Sequence, residues 1–232
     1  MISDTIPADQ TPADQTPADL TLDEVRARLA PDIAANAAFD GWGAEALRYA
    51  AEAQGVDGDI AALAFEGGAT AMIDAWFAHI DAEVADILPT DALAAMKVRE
   101  RITRLVEARL AVVAPHREAL RRALAILALP NNIALAARLG WRTVDRLWRR
   151  AGDTATDYNF YTKRTILLGV YGATMTVFLD DDSEGWKDTR AFLARRIDGI
   201  MRFEKAKAGF LGRSVYRPSL SRFIGRLRYP VA

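Results

Sequence analysis

Apolar positions recur at three- and four-residue steps along most of this chain, the period that gives a helix one continuous greasy face. The first run is Leu22, Val25 and Leu29. Thr21 precedes it and Glu24 follows, a spacing in which the hydroxyl caps the helix and the carboxylate reaches back. The pattern predicts a helix from Thr21 to Phe39, ended by Asp40-Gly41-Trp42-Gly43. An Ala-rich helix from Ala44 to Gln54, closed by Gly55, and a short helix from Asp57 to Phe65 come next. Gly67-Gly68 separates them from a long helix, Thr70 to Ile87, carrying Ile73, Trp76, Phe77 and Ile80 and stopped by Pro89.

Beyond Pro89, Thr90 or Asp91 caps a helix with Val98, Ile102, Leu105, Leu110 and Val113 at helical steps, and Pro115 divides it from the next. Helices are expected over Arg117 to Leu129, Asn131 to Arg150, Asn159 to Leu179 and Glu184 to Lys207, punctuated by Pro130, Gly152 and Asp180-Asp181-Asp182. The chain therefore reads as all-α, about nine helices in one folded domain with tails. Residues 1–20 repeat Pro-Ala-Asp and form a disordered leader. Residues 21–69 are expected to form a three-helix, helix-turn-helix-like unit, 70–207 a helical bundle, and 208–232 a basic amphipathic tail. Short helices in front of longer ones are similar to the layout of TetR-like regulators.

Composition narrows the chemistry. The chain is 51% hydrophobic with 15 Gly and 9 Pro in 232 residues, which favours helix over a turn-rich sheet architecture. With no Cys, it has no disulfides, no thiolate nucleophile and no cysteine-ligated metal. No apolar run approaches the roughly 20 residues of a membrane-spanning helix. Asp4, Asp9, Asp14 and Asp19 precede the first Arg, Arg26, with no apolar core among them, so neither a secretory nor a transit peptide is expected and the protein should stay in the cytoplasm.

The net charge of -1 averages two polarised regions. From Asp40 through Asp91 eleven acidic side chains stand against one base, Arg48. The helix in the recognition position is flanked by Asp57, Asp59 and Glu66, where DNA phosphates require Arg or Lys, so no nucleic-acid partner is expected. After Glu204 the sign reverses, with seven basic residues and no acid. Catalysis has little to work with. His79 and His116 are the only histidines, His79 lies among apolar neighbours, and its pairing with Glu83 four residues on makes a poor metal site. No catalytic residues, metal or cofactor are expected, and no Gly-rich phosphate loop is present.

The densest segment is Trp148 to Arg164, WRRAGDTATDYNFYTKR, preceded by Leu147 and followed by VYGATMTVFLDDDSEGWKDTRAFLARRI, with FDGW and FEGG upstream. It resembles the coenzyme Q biosynthesis accessory family, the ninth Coq protein of ubiquinone assembly, over about Leu22 to Lys207. The resemblance implies a TetR-like fold, an isoprenoid or quinone lipid held in an apolar cavity, and a non-enzymatic role beside a ubiquinone-biosynthesis hydroxylase. By matching positions it puts a partner-facing patch on Asp145, Leu147, Trp148, Asp157, Phe160 and Tyr161, with Arg164 just behind. Phe160 departs from the pattern, which commonly has Trp there. From periodicity alone these aromatics read as core.

Asn159 to Leu179 also carries Leu167, Leu168, Val170, Tyr171, Met175 and Phe178, an apolar surface that suits a lipid cavity or a filled core. The resemblance favours the cavity. A homodimer through the last two long helices is expected. In the tail, Arg217, Leu220, Arg222, Phe223, Ile224, Arg226 and Leu227 make an amphipathic pattern that either lies on a membrane or docks within the dimer. The implied job is to bind a polyprenylated quinone precursor on the inner face of the membrane and present it to the hydroxylase. The alternative is a TetR-like, ligand-responsive transcriptional regulator.

Overall fold

The computed structural model describes residues 20–154 and 158–214. Residues 1–19 of the expected leader, Asp157 of the patch, and Arg217, Leu220, Arg222, Phe223, Ile224, Arg226 and Leu227 of the tail lie outside them.

Glu24 N–H donates to the Thr21 hydroxyl at 3.3 Å, and Thr21 N–H donates back to the Glu24 carboxylate at 2.8 Å. This capping box opens α1 (Leu22–Asp40), whose inner stripe buries Val25, Leu29, Ile33 and Ala37. Gly55, at φ 64, closes α2 (Ala44–Gln54) in the left-handed conformation that glycine adopts freely. The Asp57 carboxylate accepts from the N–H groups of Asp59 and Ile60 to start α3 (Gly58–Ala64). The three helices pack on one another.

α4 (Ala69–Ile87) is the spine of the larger layer, burying Met72, Ile73, Trp76, Phe77, Ile80 and Val84. Trp76 packs at a tilt on Trp42, from the loop after α1, with 5.3 Å between ring centroids. The Trp42 indole N–H in turn donates to Ala119 O at 3.0 Å in α7 (Arg117–Leu127). Around α4 stand α6 (Val98–Val113), α7 and α8 (Ile133–Arg150), with α9 (Tyr158–Leu179) packed on α8 and α6.

One expected helix is two. The run from Thr90 to Val113 breaks into α5 (Thr90–Ala94), a single turn, and α6. The Arg101 guanidinium donates at 2.9 Å to the carbonyls of Ala94 and Met96 at the break and of Ala151 at the end of α8. Pro115 and Pro130 each sit in a short 3-10 turn that leads into the next helix.

The chain divides between Asp180 and Asp181 into two compact units, whereas the sequence pattern places all of 70–207 in one bundle. In the second unit Gly185 and Trp186 adopt positive φ, so α10 (Lys187–Ser214) begins three residues after the expected Glu184 and runs past Lys207. Asp181 anchors its start, accepting from the N–H and hydroxyl of both Ser183 and Thr189. Burial acts to raise the Asp181 carboxyl, but these four donors win and hold it far below the ordinary carboxylate range. The described residues are all-α, as the sequence pattern predicts, in ten helical stretches of which α5 is one turn.

Ile33 is fully buried, so Ile33→Ala should destabilise the full chain by about 2–5 kcal/mol, against about 1 kcal/mol for Thr21→Ala at the cap. Urea unfolding curves followed by circular dichroism measure both, and equal losses would contradict the assignment of α1 as a core helix.

Candidate functional site

α8 turns Leu139, Thr143, Val144 and Leu147 inward. Gly140 lies where α9 crosses it; a Cβ there would stand 2.8 Å from the Leu168 side chain, so its absence permits the close approach. Trp141, Asp145, Trp148 and Arg149 then share another side of α8 at helical spacing, and the first turns of α9 bring Phe160, Tyr161 and Arg164 against it.

Trp141 stacks on Tyr161 at 6.1 Å between ring centroids, and Phe160 meets Tyr161 edge-on at 5.1 Å. Tyr161 remains 61% exposed. Beneath this cluster lies Arg164, 1% exposed, with its guanidinium carbon 3.5 Å from the Phe160 ring centroid. Its Nε donates to Asp145 at 2.7 Å, and its Nη1 donates to Asp153 at 3.0 Å and to Phe160 O at 3.1 Å. Lys163 donates to Asp153 at 2.7 Å, Arg149 donates to Asp145 at 2.7 Å, and the Trp148 indole N–H donates to Lys163 O at 3.1 Å. A buried cation is thus matched by two carboxylates, each held by a second cation nearer the surface.

The electrostatics follow from that geometry. Burial works to raise the Asp145 carboxyl, but hydrogen bonds from Arg164 and Arg149 outweigh it and hold the group below its ordinary value. At Asp153 burial is likewise overcome, by Lys163 and Arg164.

The expected patch residues take different places. Tyr161 is exposed, while Phe160, Trp148 and Asp145 are partly exposed. Leu147 is 3% exposed and faces the core, so its assignment to the partner-facing surface is corrected. Arg164 is a strut behind the patch. Trp141, Asp153 and Lys163 were not singled out from sequence, although Trp141 lies four residues before Asp145 and so shares its helix face.

Of the expected lipid-contacting residues, Leu167, Val170, Tyr171 and Phe178 are buried, and Leu168 and Met175 are half-buried. Tyr171 accepts a 2.7 Å hydrogen bond from Arg109, a fully enclosed guanidinium that also pairs with Asp81. His79 and His116 line a pocket of about 340 Å³ beside Trp76 and Glu83. Among the described residues no group of three His, Asp or Glu side chains could hold a metal ion, and no single helix is long and apolar enough to cross a membrane.

Residues 133–204 match the family model COQ9. Over 167 residues the chain is 33% identical to the "Ubiquinone biosynthesis protein COQ9, mitochondrial" of Rattus norvegicus, covering 69% of this chain and 54% of that protein. The chain is homologous to the COQ9 family. It is 30% identical to the Homo sapiens COQ9 over 167 residues, or 69% of this chain and 52% of that one. With the Drosophila melanogaster COQ9 it shares 27% identity over 188 residues, or 79% and 57%. The chain spans about half the length of these curated relatives. The COQ9 match begins where α8 begins and contains the whole braced patch. The fold has a neighbour in the crystal structure of the TetR transcriptional regulator from Nitrosomonas europaea, with a TM-score of 0.60 at 24% identity over 75% of this chain and 97% of that one.

Two predictions follow from the Arg164 network. Arg164→Met leaves Asp145 and Asp153 short of their central partner and should cost about 3–5 kcal/mol in urea unfolding; a wild-type midpoint would show the network to be idle. Because both carboxyls are held low in the folded chain, their contribution is complete above the ordinary carboxylate range and drains away as pH falls through it toward the lowered values. Near-UV circular dichroism should report loss of tryptophan packing on that acid limb, and Asp153→Asn should flatten the limb while lowering stability at neutral pH. An acid limb of unchanged shape in the variant would refute the assignment.

Proposed function

We propose that this chain is a lipid-binding accessory protein of ubiquinone biosynthesis. It holds a polyprenylated quinone precursor at a membrane surface and presents it to a partner hydroxylase, which supplies the chemistry. The observation that carries the reading is Tyr161, a large aromatic left 61% exposed yet fixed by Trp141, Phe160 and the strut Arg164. A ring held rigid in water has already lost much of its rotamer freedom, so docking a partner on it costs less ordering entropy than docking on a loose side chain. The Arg149–Asp145 ion pair beside it adds a fixed, directional pair of charges that can set orientation.

The relatives named as ubiquinone biosynthesis proteins support the pathway, and the match over α8 and α9 supports placing the partner surface there. The apolar ligand is assigned to α9, where half-buried Leu168 and Met175 adjoin buried Leu167, Tyr171 and Phe178. Membrane contact is assigned to the basic tail, and dimerisation to α9 and α10. The regulator alternative is weakened by charge: α3 carries no Lys or Arg and is flanked by Asp57 and Glu66, so its surface repels a polyanion.

Tyr161→Ala should weaken binding of the cognate hydroxylase by about tenfold or more, while the loss of its two ring contacts lowers stability by only about 1–2 kcal/mol. Surface plasmon resonance with the purified partner reads the first, and calorimetry the second. Undiminished binding would remove the patch from the interface. Organic extraction of the purified chain followed by mass spectrometry should recover a polyprenylated lipid, and an extract without one would overturn the lipid assignment.

A further inference from the structure

A groove of about 410 Å³ opens between α4, α6 and α8, and four arginines line it: Arg109, Arg146, Arg149 and Arg150. Asp81 is the single acid in that lining, and it is shared by Arg109 and Arg146. Arg149 leans on Asp145, which Arg164 also holds. Arg150 donates to the backbone carbonyls of Ala85 and Leu88 at the end of α4 and leaves its Nε buried without a hydrogen-bond partner. The groove therefore holds four guanidinium groups against one carboxylate of its own, beside a buried Arg150 Nε that has no partner, an arrangement that an anion would balance.

We infer that this groove is a phosphate-binding site, with Arg146, Arg149 and Arg150 taking the oxyanion. Several guanidinium forks supply more donors than a two-oxygen carboxylate can accept, whereas a phosphate offers three oxygens in a geometry that such forks match. Arg109 stays engaged with Asp81 and Tyr171 and acts as the fixed positive floor. Asp145 keeps its bond to Arg164 when Arg149 turns to the ligand, so the aromatic patch stays braced. Ala78, Ala82, Val84 and Leu147 form the apolar wall, along which the organic part of a phosphate ester lies. The inference stands apart from the quinone-precursor reading, because a neutral polyprenylated ring has no use for a cluster of four guanidinium groups.

The test is calorimetric titration of the full chain at neutral pH with inorganic phosphate and, separately, with dihexanoyl phosphatidic acid below its micelle concentration. Saturable binding is expected, weakened about tenfold by Arg146→Gln and by Arg150→Gln, as for loss of one charge-assisted bond. Arg104→Gln, an exposed arginine paired with Glu107, should leave it unchanged. Arg146 is 44% exposed at its side chain, so its variant should fold even if that of Arg150 does not. Tighter binding of the phosphatidic acid identifies a lipid headgroup as the ligand, and equal binding identifies a soluble phosphate ester. No saturable binding of either probe, or binding undiminished in Arg146→Gln, overturns the site. Tyr161→Ala should retain phosphate binding, which separates this test from that of the partner patch.

Discussion

The arrangement at the α8–α9 hairpin depends on one buried cation. Arg164 is 1% exposed and costs a large desolvation penalty unless its donors are met. Asp145 and Asp153 meet them from either side, one in α8 and one in the turn after it, while the guanidinium face lies under Phe160. Because the two carboxylates sit on different segments, satisfying one cation fixes the end of α8, the following turn and the start of α9 together. Tyr161 inherits its position from that constraint, and a flat aromatic surface is held where an unbraced side chain would sample many rotamers.

Elsewhere, too, arginine joins segments that apolar packing alone does not align. Arg101 gathers carbonyls from three points of the chain, Arg117 and Arg121 bind those at the end of α9, and Arg150 binds those at the end of α4. Each meets the helix-end groups that lack intrahelical partners and that favour positive charge. The acids before Pro89 are used in two ways. Asp74 and Asp81 on α4 pair with Arg138, Arg142 and Arg146 on α8, binding the two helices, while those on α2 and α3 stay at the surface.

Helix periods, the Thr21 capping box and the Gly55 stop were legible because each is a local matter of spacing and backbone conformation. The break before α6 was not, since the residue that stabilises it, Arg101, reaches as far as Ala151, 50 positions away. The same limit applies at the patch. Residue likeness brought Asp145, Trp148, Phe160 and Tyr161 together, but periodicity could not tell Leu147, which faces the core, from Tyr161, which faces water. Trp141 went unnoticed because its partners lie across a turn on the next helix.

By itself, the sequence determined that the chain is helical, where most helices start and stop, and which stretch carries the COQ9 likeness, because hydrophobic period, caps and motif residues act over a few positions. Tertiary structure alone decided that Arg164 is a strut and not a surface, that Tyr161 is presented and not packed, and that arginines from α6 and α8 share a groove with α4. Burial and ion pairing are set by which distant segments exclude water from one another, and that is fixed only once the helices have packed.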